Sequence, residues 1–198
     1  MSVLLDKIIE QYTRTHPLEE EQITYIRYGL EVIITTIINM GVIMLLAVIA
    51  GKAAYGILFM AVFVPTRTFG GGYHSSTRLR CNLLILGCEA LTLWLPDFVA
   101  MQKGTAVVVF VEWLLYELVV LGYAPVEHKN KPLTLEIRRK NKYRSRILSI
   151  VWGILLVITY QYNAQIAVSI ATVLLIVAAL MVLGVQKESR GNDSNCSM

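Results

Sequence analysis

Charge is scarce in this chain. Only 16% of its 198 residues are Asp, Glu, Lys or Arg, while 56% are hydrophobic. Water-soluble domains carry about 25% charged residues, so an ordinary soluble fold is excluded. Cysteine is scarce too: Cys81, Cys88 and Cys196 are odd in number and show no paired spacing, which excludes a disulfide framework. The N-terminal stretch MSVLLDKIIEQYTRTHPLEEE lacks the charged, apolar and small-residue order of a cleaved signal peptide. Its Leu4, Leu5, Ile8, Ile9 and Tyr12 fall instead at helical spacing opposite Asp6, Lys7, Glu10 and Gln11. That pattern fits an amphipathic helix on a membrane surface or one packed on the protein's own loops.

What the chain has is long apolar runs. Residues 30–50 are long enough to cross a hydrocarbon core of about 30 Å as a helix. Residues 53–64 form a second run that stops at Pro65, short of the roughly 20 residues a full crossing needs. Further spans are expected near 83–100, 105–123, 147–162 and 164–184. The expected fold is therefore all-α, a polytopic membrane protein with about six transmembrane helices and an N-terminal amphipathic helix. One embedded domain would occupy 1–186, with a surface segment at 1–28, a polar loop at 65–82, a basic loop at 124–146 and a disordered tail at 187–198. With the N-terminus inside, sixteen of the eighteen Lys and Arg residues fall on the cytoplasmic side, leaving Lys52 and Lys103 outside. Basic residues near span ends are retained in the cytoplasm, so both termini and the polar loop are expected there.

The stretch FGGGYHSSTRLRC, residues 69–81, concentrates glycine, histidine, arginine and cysteine in that loop. A glycine-rich turn between two spans accounts for the glycines and arginines alone. Ionisable groups beside a span are functional candidates as well, because charge at membrane depth is costly. His74 and Cys81 can act together: a neutral imidazole takes the thiol proton and leaves a nucleophilic thiolate. On one continuous helix the pair would lie about 10 Å apart, too far for proton transfer. The chain at His74 must then fold back, which Gly70, Gly71 and Gly72 permit, with a helix beginning near Ser75 or Ser76 and carrying Cys81. The Lys-Ser/Thr ending of a phosphate-binding loop is missing. One His and one Cys do not make a zinc site, and no metal or other cofactor is expected.

These residues resemble the accessory gene regulator protein B family of membrane peptidases of Gram-positive bacteria. Its pattern of an arginine, Gly-Gly-x-His and a cysteine seven residues after the histidine matches Arg67, Gly71, Gly72, His74 and Cys81. A basic segment with proline, APVEHKNKPL, also precedes the last two expected spans. The resemblance implies a cysteine endopeptidase that cleaves a short precursor and, through an acyl-thioester, forms a cyclic thiolactone or lactone autoinducing peptide for quorum sensing. It assigns Cys81 as nucleophile and His74 as general base and later acid, with Arg67, Gly71 and Gly72 in support. It also implies a homodimer in the cell membrane of a Gram-positive bacterium. The implied precursor has an amphipathic N-terminal segment and an acidic C-terminal tail.

The basic run that includes Lys129, Lys131, Arg138, Arg139 and Lys140 would lie against anionic lipid, dock the precursor's acidic tail, or do both. No nucleic-acid partner is expected. Glu89, Glu112 and Glu117 fall within spans, so each should face a partner, a cavity or an interface. Glu112 and Glu117 should diverge, being five residues apart on one helix, and Cys88 reads as a packing residue. A non-enzymatic reading remains: a small transporter or scaffold that binds or exports a peptide, with the glycines as a hinge.

Overall fold

The computed structural model describes residues 20–72, 78–126 and 134–193. Six helices occupy them: α1 (Glu20–Ile49), α2 (Ala53–Gly70), α3 (Arg78–Ala100), α4 (Thr105–Tyr123), α5 (Leu135–Tyr162) and α6 (Ala164–Asp193). Among the described residues there is no strand, apart from one isolated bridge between Gly71 and Val126. The expected amphipathic helix at the N-terminus lies outside them. The chain divides into two compact units at Leu45/Leu46. In the first, α1 contributes the apolar stretch that runs on to Ile49.

Five helices, α2 to α6, are long and apolar enough to cross a membrane. Helices suit this role because every interior N–H and C=O is met within the segment, where lipid offers no partner. The turns between them are short and locally encoded. Gly51 at φ +70° ends α1, and the Lys52 amide reaches back to the Ala47 carbonyl at 2.8 Å, a Schellman-type stop. Gly104 at φ +96° precedes α4. Asn163 alone separates α5 from α6, and its side-chain oxygen accepts from the amides of Gln165 at 2.9 Å and Ile166 at 3.3 Å, an N-cap. Thr134 caps α5 in the same way, accepting from the Ile137 amide at 3.4 Å.

Helix α6 is the hub of the second unit, packing against α2, α3, α4 and α5. Within the protein, 67% of its span is buried, against 22–33% of the other four. Small and branched residues make this possible: Ala167, Ala171, Val173, Val177 and Ala178 are all buried and let neighbouring backbones approach. Near one end of the bundle Lys52 pairs with Asp97 and the Leu93 carbonyl. The ammonium also lies 4.8 Å from the Trp94 ring centroid.

Two expected boundaries change. The second run does not stop at Pro65: α2 continues through it to Gly70 and is 18 residues long. Proline removes one intrahelical bond and crowds the preceding turn, yet an open break here would leave more backbone unmet. The Thr66 hydroxyl donates to the Val62 carbonyl, and Thr68 Oγ1 donates to Val64 at 2.7 Å. Both bonds keep the turn's polar groups occupied. Helix α5 begins at Leu135 rather than near 147, so its first turns hold the basic run. Its 28 residues measure about 42 Å, longer than a hydrocarbon core of about 30 Å. Helix α6 likewise continues past Lys187 to Asp193, into the stretch whose composition reads as a tail.

Candidate active site

The polar interruption is organised around a glycine turn at the end of α2. Gly71 has φ +75° and Gly72 φ +139°, backbone that side-chain-bearing residues rarely adopt. The Gly71 amide closes the helix on the Arg67 carbonyl at 3.0 Å. Close approach adds a second demand for glycine. A Cβ on Gly71 would sit 2.2 Å from the Val126 carbonyl oxygen, and one on Gly72 would sit 3.2 Å from Arg67 Nη1 and 3.6 Å from the Leu180 backbone. The Val126 amide donates to the Gly70 carbonyl at 2.9 Å. Residues 124–126, which include the cis Ala124–Pro125 bond, therefore run directly against the turn.

Arg67 belongs to the last turn of α2, with its guanidinium 5.7 Å from the Phe63 ring centroid. Its side chain also reaches toward Gly72 and lies near the buried Cys88. Arg144, on α5, places its guanidinium 5.5 Å from the Phe69 ring centroid, which ties the basic part of α5 to the residue just before the glycines. Deeper in the bundle, the Trp152 indole donates to Thr66 Oγ1 at 3.1 Å, and the Tyr116 hydroxyl faces the same threonine. Thr66 is 2% exposed and Tyr116 1%. One hydroxyl thus fastens the inner end of α2 to α4 and α5.

Of the candidate site residues, Arg67, Gly71 and Gly72 come together at the turn. Cys81 lies in the first described turn of α3, and its side chain is outside the described residues. His74 is outside them as well, together with the capping serines, Lys129 and Lys131. Arg138, Arg139 and Lys140 are exposed on the first turns of α5, where Lys140 pairs with Glu136 at 2.6 Å. Val126, Leu180, Met181 and Arg144 are contributors that sequence reasoning missed. No local pattern marks them, because their role is to abut a turn far away in the chain.

The three intramembrane carboxylates separate. Glu89 is 0% exposed, and neither of its oxygens has a hydrogen-bond partner among the described residues. Glu112 is buried on α4 beside Thr172 of α6. Glu117 points elsewhere, lining a cavity between α4 and α5. Cys88 is a buried free thiol. Among the described residues, no three His, Cys, Asp or Glu side chains converge to hold a metal ion.

A membrane-embedded helical bundle with a glycine-formed turn between an arginine and a helix-borne cysteine defines the class. The chain matches the profile of the family described as Accessory gene regulator B over residues 5–183; it belongs to that family. It is 26% identical over 160 residues to the accessory gene regulator protein B of Staphylococcus lugdunensis, covering 77% of this chain and 81% of that one. It is 26% identical over 164 residues to the putative AgrB-like protein 2 of Clostridium perfringens, covering 79% and 77%. The accessory gene regulator protein B of Staphylococcus haemolyticus is 25% identical over 170 residues, covering 79% and 82%. No solved structure matches the chain.

Proposed function

We propose that the protein is a membrane cysteine endopeptidase that processes a short precursor into a cyclic autoinducing peptide. The observation that carries this reading is the intact motif in a chain of this family. Arg67, Gly71, Gly72, His74 and Cys81 keep the family spacing, and both glycines hold positive φ immediately before His74. Such a turn is what a fold-back of His74 toward the start of α3 requires.

In the proposed reaction His74 takes the proton of the Cys81 thiol, and the thiolate attacks a carbonyl near the precursor's C-terminus. The tetrahedral intermediate collapses as the imidazolium returns that proton to the departing amine. The tail leaves and the remainder is held as a thioester on Sγ of Cys81. A cysteine or serine side chain of the peptide then attacks the same carbonyl. The ring closes, and Cys81 leaves as a thiolate that regains a proton. Holding the two ends together replaces a bimolecular encounter. Excluding water keeps the thioester from hydrolysis.

In the same reading, Arg67 supports the turn and the basic residues from Lys129 to Lys140 receive the precursor's acidic tail. The site and both termini face the cytoplasm of a Gram-positive cell, and the protein works as a homodimer. Intact-mass analysis of a cognate precursor incubated in membranes with wild type, Cys81→Ala and His74→Ala tests the chemistry. The expected result is tail loss with a dehydrated ring for wild type alone. An intact precursor with all three, despite demonstrated binding, would overturn the reading in favour of binding or transport.

A further inference from the structure

Helices α4 and α5 border a groove of about 580 Å3 that runs from Ala106 and Gln161 at one end to Glu117 and Ile150 at the other. It opens toward the lipid side: Phe110 is 56% exposed and Val157 66%. Within this apolar surface lie two buried polar atoms without hydrogen bonds, the Trp113 indole N–H and Glu117 Oε2. They are four residues apart on α4, so they occupy one face. Gly153 sets the position of the indole: a Cβ there would stand 2.9 Å from two ring carbons of Trp113.

The dimensions restrict the occupant. Eleven residues of α4, from Ala106 to Glu117, rise about 16 Å. The stated volume over that length gives a mean cross-section of roughly 35 Å2, less than half that of a helix about 10–12 Å across. A neighbouring helix does not enter such a slot, whereas an extended hydrocarbon chain does. Plain hydrocarbon would leave both polar atoms unmet, at about 1–3 kcal/mol each. A group that accepts from the indole and donates to the carboxylate answers both at once, and a hydroxyl or an amide has that dual character. An extended peptide would bring several further amides into an apolar slot that offers them nothing.

We propose that the α4–α5 groove binds a single-chain amphiphile dissolved in the membrane, with its hydroxyl or amide held between Trp113 and Glu117 and its chain along Phe110, Gly153 and Val157. This site is independent of the peptidase reading. The test uses the full chain in lipid vesicles and palmitamide bearing a photoreactive diazirine beside the amide, with a diazirine-bearing hexadecane as the control. After irradiation, mass spectrometry is expected to find the palmitamide label at Trp113–Glu117 and the facing turn of α5, several-fold above the hexadecane label. Trp113→Phe keeps the ring and removes the donor, and it should bring palmitamide labelling down to the control level. Equal labelling by both probes, or no response to Trp113→Phe and Glu117→Leu, would overturn the proposal. Efficient disulfide formation between copies carrying Val157→Cys would also overturn it, assigning the face to a second molecule.

Discussion

Gly70, Gly71 and Gly72 look interchangeable in the sequence but meet different neighbours. A Cβ on Gly70 would approach the Met181 sulfur at 3.3 Å, where a thioether can shift, whereas one on Gly71 would strike the Val126 carbonyl at 2.2 Å. Gly71 also holds φ +75°, and a residue forced into sparsely populated backbone costs about 1–3 kcal/mol. Gly70→Ala is therefore expected to keep near-normal thermal stability in detergent and near-normal precursor processing. Gly71→Ala should lose several degrees of melting temperature and most processing; equal tolerance of the two changes would contradict the turn geometry. Glu89 makes a second case at this scale. Replacing a buried carboxylate that has no hydrogen bond with a hydrocarbon of similar size removes a desolvation cost. Glu89→Leu should leave the melting temperature unchanged or higher, and a marked fall would mean that the carboxylate is held by an essential partner. The sequence marks both residues as unusual, three glycines in a row and an acid within a span. Which glycine is indispensable depends on Val126 and could not be read from it.

Helix ends carry much of the polar chemistry that orders this bundle. Thr66 links α2 to α5 through the Trp152 indole, a bond between buried groups 86 residues apart in the chain. Trp152→Phe keeps the ring and leaves the Thr66 hydroxyl with one donor fewer, so unfolding in a denaturing detergent should show a loss of about 1 kcal/mol. The ion pair of Lys52 and Asp97 joins the start of α2 to the end of α3, with Asp97 40% exposed. An exposed pair of this kind contributes about 0–1 kcal/mol. Asp97→Asn should therefore cost less than Trp152→Phe in the same assay, and the reverse order would show that the bundle is fastened at the Lys52 end. Element lengths were legible where apolar runs end at polar residues: the expected span at 105–123 coincides with α4, Thr105–Tyr123. They were misread at Pro65, because a proline signal is local while helix continuation was favoured by the apolar surroundings and by the Thr66 and Thr68 hydroxyls.

At the scale of the molecule, the sidedness of the chain is open to a direct check. The distribution of Lys and Arg puts Lys103 outside and Arg139 inside, and both are exposed. In whole cells producing the protein without its native cysteines, Lys103→Cys should react with a membrane-impermeant maleimide. Arg139→Cys should react only after permeabilisation; the opposite pattern would invert the topology. By itself the sequence determined that this is a helical membrane protein and where most crossings lie. Those outcomes follow from local sums, apolar length against bilayer thickness and backbone groups met within each segment. It also carried the Arg67, Gly71, Gly72, His74 and Cys81 motif that resembles the family to which the chain belongs. Only the tertiary structure decided that α6 is the hub, that Val126 seats the glycine turn, that Arg144 stands over Phe69, and that Glu117 and Trp113 share a groove. Each of these is a contact between distant segments, set by which side chains leave room for which backbones. A pattern of residue types along one chain does not specify that complementarity.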